Sequence, residues 1–175
     1  MPSTDLLSQD DLQRWRACPR AHWLHQHPQA RAHATHCQAL PDEADALLLD
    51  QGPGAEQALR ASYPEARLIP TPHTDAEWDA AIARTQAELA QGWLLGPQAQ
   101  EAGRALIGAC LHSKEGVRVR IDVVAAGRLG LRLFKLKYAT VGDEADVDTV
   151  ALWTHVVLRG GWRVQGTGLL LIDAD

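Results

Sequence analysis

The spacing of apolar residues changes near residue 104 and divides the chain into a helical half and a β-rich half. Ser8-Gln9-Asp10-Asp11 reads as a helix start, with Ser8 as N-cap and an acid three positions on. Leu12, Trp15, Trp23 and Leu24 supply its buried side, and Pro19 either kinks this helix or opens a second one. Residues 28–41 have little pattern and read as loop, whereas 42–50 look helical. Gly52-Pro53-Gly54 interrupts that helix, and another runs to about Tyr63, before Pro64. Thr74-Asp75-Ala76-Glu77 is a capping box for a helix that carries Trp78, Ile82 and Leu89 and ends at Gly92.

The second half begins with a strand near 104–112, followed by a hairpin. In its first arm Val117, Val119, Ile121 and Val123 alternate with Arg118, Arg120 and Asp122; in the second, Leu129, Leu131, Leu133, Lys135 and Lys137 share one parity. The turn Ala125-Ala126-Gly127-Arg128 is even in length, so a loop of two or four residues pairs Asp122 with Leu131. That register puts Asp122, Arg118, Arg120, Lys135 and Lys137 on one face. Residues 143–159 follow a helical period through Val147, Val150, Ala151, Thr154 and Leu158. Gly160-Gly161 closes that helix, and 163–172 returns as a strand. The core order is helix, three strands, helix, strand: an α/β protein with a mixed sheet flanked by helices.

A length of 175 residues suits a single domain with a real core, here with a helical N-terminal half. No apolar run reaches membrane-spanning length, and Met1-Pro2-Ser3-Thr4-Asp5 has no signal pattern. Cys18, Cys37 and Cys110 are odd in number, which favours reduced thiols in a cytoplasm and cannot supply four thiolates to an iron–sulfur cluster. The net charge of −5 argues against wholesale nucleic-acid binding but is unevenly spread. Residues 104–140 carry eight Lys/Arg against two Asp/Glu, a balance of +6, and the remainder carries nine against twenty, a balance of −11. A basic hairpin in an acidic body signals a local anion site, although a solvated charged face has the same composition. Lysine is scarce, three residues against 14 arginines, and two of the three are Lys135 and Lys137.

Asp122 on the second strand, Lys137 closing the third, and the element order together resemble the PD-(D/E)XK nuclease superfamily, in particular its RecB-like exonuclease domains. Cys18-Pro19-Arg20-Ala21-His22-Trp23-Leu24 is similar to the N-terminal helix of those proteins, and Val150-Ala151-Leu152 with Val156 to Gly161 is similar to their helix after the third strand. The likeness is weak between Ala32 and Ala99. It implies a restriction-endonuclease-like fold in which Asp122 binds metal and Lys137 is the catalytic lysine that steadies water or phosphate. Where the family has a metal-binding Glu, this chain has Lys135; where it has Gln on the next helix, Trp153; where an acid often precedes the hairpin, Gly108. Two unit charges about 4 Å apart interact by roughly 4 kcal/mol at an effective dielectric near 20. A divalent ion doubles this, so the exchange turns an attraction of about 8 kcal/mol into a similar repulsion at the upper end.

The leading reading is therefore a degenerate, inactive nuclease-like protein without a cofactor, keeping a basic hairpin (Arg118, Arg120, Lys135, Lys137) for nucleic acid or a protein partner. A competing reading is an active Mg²⁺-dependent nuclease whose missing acid is replaced by Asp148, Glu144, Glu101 or Glu56. A third is a purely structural or protein-interaction domain, with Asp122 ion-paired to Lys135 or Lys137. Cys18, His22, His25, His27, His33, His36 and Cys37 are potential zinc ligands, but their spacing matches no standard zinc module. Cys18 and Trp23 fit the core better. Acids at helix starts, such as Glu144 and Asp146, are expected as cap and dipole partners.

Overall fold

A computed structural model describes residues 7–27, 29, 53–137 and 141–172. The loop expected at 28–41, Gln29 aside, and the helix expected at 42–50 lie outside the described residues. Helix α1 (Gln9–Ala17) begins at a capping box in which Ser8 and Asp11 satisfy each other's backbone amides. Pro19 opens a second helix, α2 (Pro19–Gln26), instead of kinking the first. Proline disfavours helical backbone at the residue before it, and Cys18 is extended, with φ −162° and ψ 106°. Helix α3 (Pro53–Ser62) starts at the expected break. Strand β1 (Glu65–Leu68) follows, then α4 (Asp75–Ala90), capped by Thr74 and Glu77 and ended by Gly92 at φ +67°. A short helix α5 (Pro97–Glu101) leads into β2 (Arg104–His112), β3 (Arg118–Ala125) and β4 (Leu131–Lys137). Helix α6 (Glu144–Arg159) and strand β5 (Val164–Leu171) complete the described chain.

The strands form one sheet in the order β1-β2-β3-β4-β5. β2, β3 and β4 are an antiparallel meander, β1 runs parallel to β2, and β5 runs parallel to β4. A parallel neighbour requires a crossover, which α6 supplies. The expected helix–strand–strand–strand–helix–strand order is present, with β1 added at one edge.

Hairpin register departs from the expectation. Ala125 faces Arg132, Val124 faces Leu133 and Val123 faces Phe134, so the loop is longer by an even number of residues. Continued one step, this register sets Asp122 against Lys135, not Leu131. Strand alternation also breaks. Leu106, Ala109, Leu111, Val119, Ile121, Val124, Leu131 and Leu133 pack with Val150, Trp153, Val156 and Val157 of α6. Ala105, Ile107, Val123, Ala125 and Leu136 pack with Leu59 and Tyr63 on the other side. The pleat therefore changes phase between Ile121 and Val123 on β3, and between Ile107 and Ala109 on β2. The pairs Ile107–Val123 and Ala109–Ile121 bracket Gly108 and Asp122, and Gly108 has φ +72°, a conformation open to glycine at little cost.

Helix α6 has its expected length but a different inward face. Asp146, Thr149, Val150, Trp153, Val156 and Val157 are buried, while Val147 and Leu158 are 67% and 53% exposed. Both stripes have helical spacing; the one carrying the large Trp153 is the one that meets the sheet. Leu24 is buried as expected, but Trp15 and Trp23 are about half exposed, so Trp23 is not a core residue.

Candidate functional site

Asp122 sits where β3 and β4 part. Their ladder ends at the Val123–Phe134 pair. Beyond it the Leu136 amide donates to the Asp122 carboxylate, at 2.8 Å. The side chain takes the place of a backbone acceptor, which explains why a carboxylate only 7% exposed is tolerated.

Lys135 and Lys137 follow Leu131 and Leu133 in parity and lie on the α6 side of the sheet. Lys137 is clamped at the start of α6. Its Nζ lies 2.7 Å from Asp143 Oδ2 and 2.5 Å from Asp146 Oδ2. Asp143 is the N-cap, Asp146 completes the capping box, and the Asp146 side chain is only 5% exposed. Hydrogen bonds to Asp143 and Asp146 raise the Lys137 pKa, and the Lys137 ammonium with the Asp146 amide holds Asp143 below the usual range. Asp146 is thus a cap residue, as expected, and also a lysine partner. A capping box a few residues after the final strand lysine was the available signal for this clamp. Lys135 is half-buried and makes no ion pair with a described residue.

Arg118 and Arg120 do not join the lysines. Arg118 pairs with Asp75 at the start of α4, Nη1 to Oδ1 2.9 Å, and lies 5.0 Å from the Trp78 ring centroid. Arg120 Nη2 is 3.5 Å from the Ile69 carbonyl, and its guanidinium covers Gly108, where a Cβ would come within 2.5 Å of it. The expectation of four cations and one carboxylate on a single face is therefore corrected. Parity is conserved around the hairpin loop, but the phase change at Asp122 turns the residues before it to the opposite side.

The positions considered for a displaced acid are dispersed. Asp148 pairs with Arg16 at 2.6 Å, Glu144 and Glu101 are exposed, and the Glu56 side chain lies outside the described part. Among the described residues no group of three or more His, Cys, Asp or Glu is arranged to hold a metal. The donor set around Asp122 does not fit Mg²⁺: the carboxylate accepts a backbone amide, and Lys135 stands where a second carboxylate is needed. Trp153 is a core residue, with Nε1 donating to Gln9 Oε1 at 2.9 Å.

Histidines of the N-terminal cluster are engaged separately. His25 Nε2 is 3.0 Å from Arg14 Nη1, His27 Nδ1 is 2.8 Å from the Trp23 carbonyl, and His22 Nδ1 is 3.8 Å from Asp11 Oδ1. Cys18 is a partly buried free thiol, and His33, His36 and Cys37 lie outside the described residues.

The Lys137 clamp has a pH signature. Raising the folded Lys137 pKa adds stability that is complete below its ordinary value of 10.5 and is lost as pH rises through the folded value. Lowering the Asp143 pKa adds stability present above its ordinary value of 3.8 and lost as pH falls through the folded value. The stability difference between wild type and Lys137→Met, measured by urea unfolding across pH, should be flat from about pH 5 to 9 and shrink at both ends.

The fold defines an α/β protein with a five-stranded, mixed, open sheet flanked by helices. No described helix is long and apolar enough to cross a membrane. Comparison with protein-family models, with curated proteins and with solved structures found no match.

Proposed function

We propose that the chain is a restriction-endonuclease-like domain of the PD-(D/E)XK type whose catalytic positions have become structural. It does not cleave nucleic acid and serves as a protein-binding module. The Lys137 clamp carries this reading: an ammonium held by two carboxylates is already neutralised and is poorly placed to meet a phosphate. Asp122 supports it, being used to satisfy the β4 backbone. The order helix, three strands, helix, strand within one mixed sheet, on which the resemblance rests, also supports it. Nucleic-acid binding is the weaker alternative, because Arg118 and Arg120 face away from Lys135 and Lys137.

Single- and double-stranded DNA and RNA incubated with Mg²⁺ or Mn²⁺ are expected to remain intact, and labelled oligonucleotides to bind weakly even at low salt. Metal-dependent turnover that disappears in Asp122→Ala would overturn the proposal. Lys135→Glu restores a carboxylate opposite Asp122 and should raise Mn²⁺ affinity in calorimetric titration.

A further inference from the structure

The two edges of the sheet are treated differently. At the β1 edge the strand has only four residues, and its Glu65 pairs with Arg104 and its Arg67 with Glu88. Past the end of β1, the exposed side of β2 is covered by α4, where Thr85 Oγ1 accepts the Cys110 amide at 3.0 Å. Short strands, charges and a covering helix all prevent strand addition.

Among the described residues the β5 edge has none of these devices. Val164–Leu171 contains no charged residue and no proline. The Ile172 amide donates to the Lys137 carbonyl, so alternation aims the backbone groups of Thr167, Leu169 and Leu171 away from β4. Among the described residues no strand pairs with that side. We infer that β5 is an assembly edge, where a second copy of this chain adds its own β5 antiparallel about a twofold axis.

The occupant follows from self-complementarity. Centred on Leu169, an antiparallel pair sets Leu169 against Leu169 of the second copy, and Thr167 against its Leu171. All three are hydrogen-bonded positions, so every outward amide and carbonyl in the segment finds a partner. An uncharged strand meets its copy without repulsion, even though the chain as a whole carries −5. Leucine side chains meet across the axis, and Leu171, 46% exposed here, gains cover. This inference does not depend on whether the fold descends from a nuclease.

Sedimentation equilibrium of the intact chain should give a concentration-dependent dimer. Hydrogen exchange should be slow at the Thr167, Leu169 and Leu171 amides in the dimer and fast on dilution. Thr167→Pro removes an outward amide from each copy and should weaken dimerisation about tenfold or more. Thr167→Lys, at an exposed position, is the second variant, and it should also weaken association while leaving the circular dichroism spectrum unchanged. A monomer at all concentrations with fast exchange at these three amides would overturn the inference. So would a dimer untouched by both substitutions. A monomer whose edge amides are protected only by an added extended peptide would replace the second copy with a peptide partner and equally overturn it.

Discussion

Asp122→Ala is expected to destabilise the protein by about 2–3 kcal/mol, because it leaves the Leu136 amide without an acceptor at the point where β3 and β4 separate. Asp122→Asn keeps an oxygen in reach of that amide and should lose less than half as much. Urea unfolding with an unchanged m-value measures both. The sign separates a structural carboxylate from a catalytic one. A metal-binding Asp facing open solvent is held for its ligand, and its removal usually leaves stability unchanged or improves it. An Ala variant as stable as wild type would free Asp122 for ligand binding and weaken the proposed function.

Trp153→Ala is expected to cost more, about 3–5 kcal/mol, since the indole is 1% exposed and lies at the centre of the contact between α6 and the sheet. The cavity adjoins Val150, Val156 and Val157, which share that face of α6. The cost also includes the bond from Nε1 to Gln9, which ties α1 to α6. Trp153→Gln, the residue type that the resembling nucleases carry at this place, should be nearly as damaging, because it buries an amide in an apolar site. Thermal and urea unfolding of both variants would check this. A Gln variant close to wild type would mean that Trp153 occupies a polar, accessible position.

What the amino-acid sequence determined by itself is local. The capping boxes at Ser8 and Thr74 appear where the sequence predicts them, because a cap and its partner are three residues apart, and the box of Asp143 with Asp146 has the same local spacing although only Asp146 was expected as a cap partner. The strands β2, β3 and β4 and the closing strand β5 follow from apolar pattern and flanking turns, within a residue or two. Strand β1 was not legible: Glu-Ala-Arg-Leu alternates, but over only four residues with none of the β-branched or aromatic types that favour strands, and it is held by pairing with β2.

What only the tertiary structure decided depends on residues distant in the chain. The inward face of α6 was set by which of two apolar stripes could place a tryptophan against the sheet. The partners of Lys137 came from the helix start that the crossover brings beside β4. The side taken by Arg118 and Arg120 turned on a phase change at the Gly108–Asp122 pair, where a positive φ on one strand coincides with a side chain replacing the ladder on the next. Period-two reasoning carries a face assignment along an unbroken pleat and reverses at a break. A single glycine in a strand marks where such a break can occur, but pairing across the sheet determines whether it does.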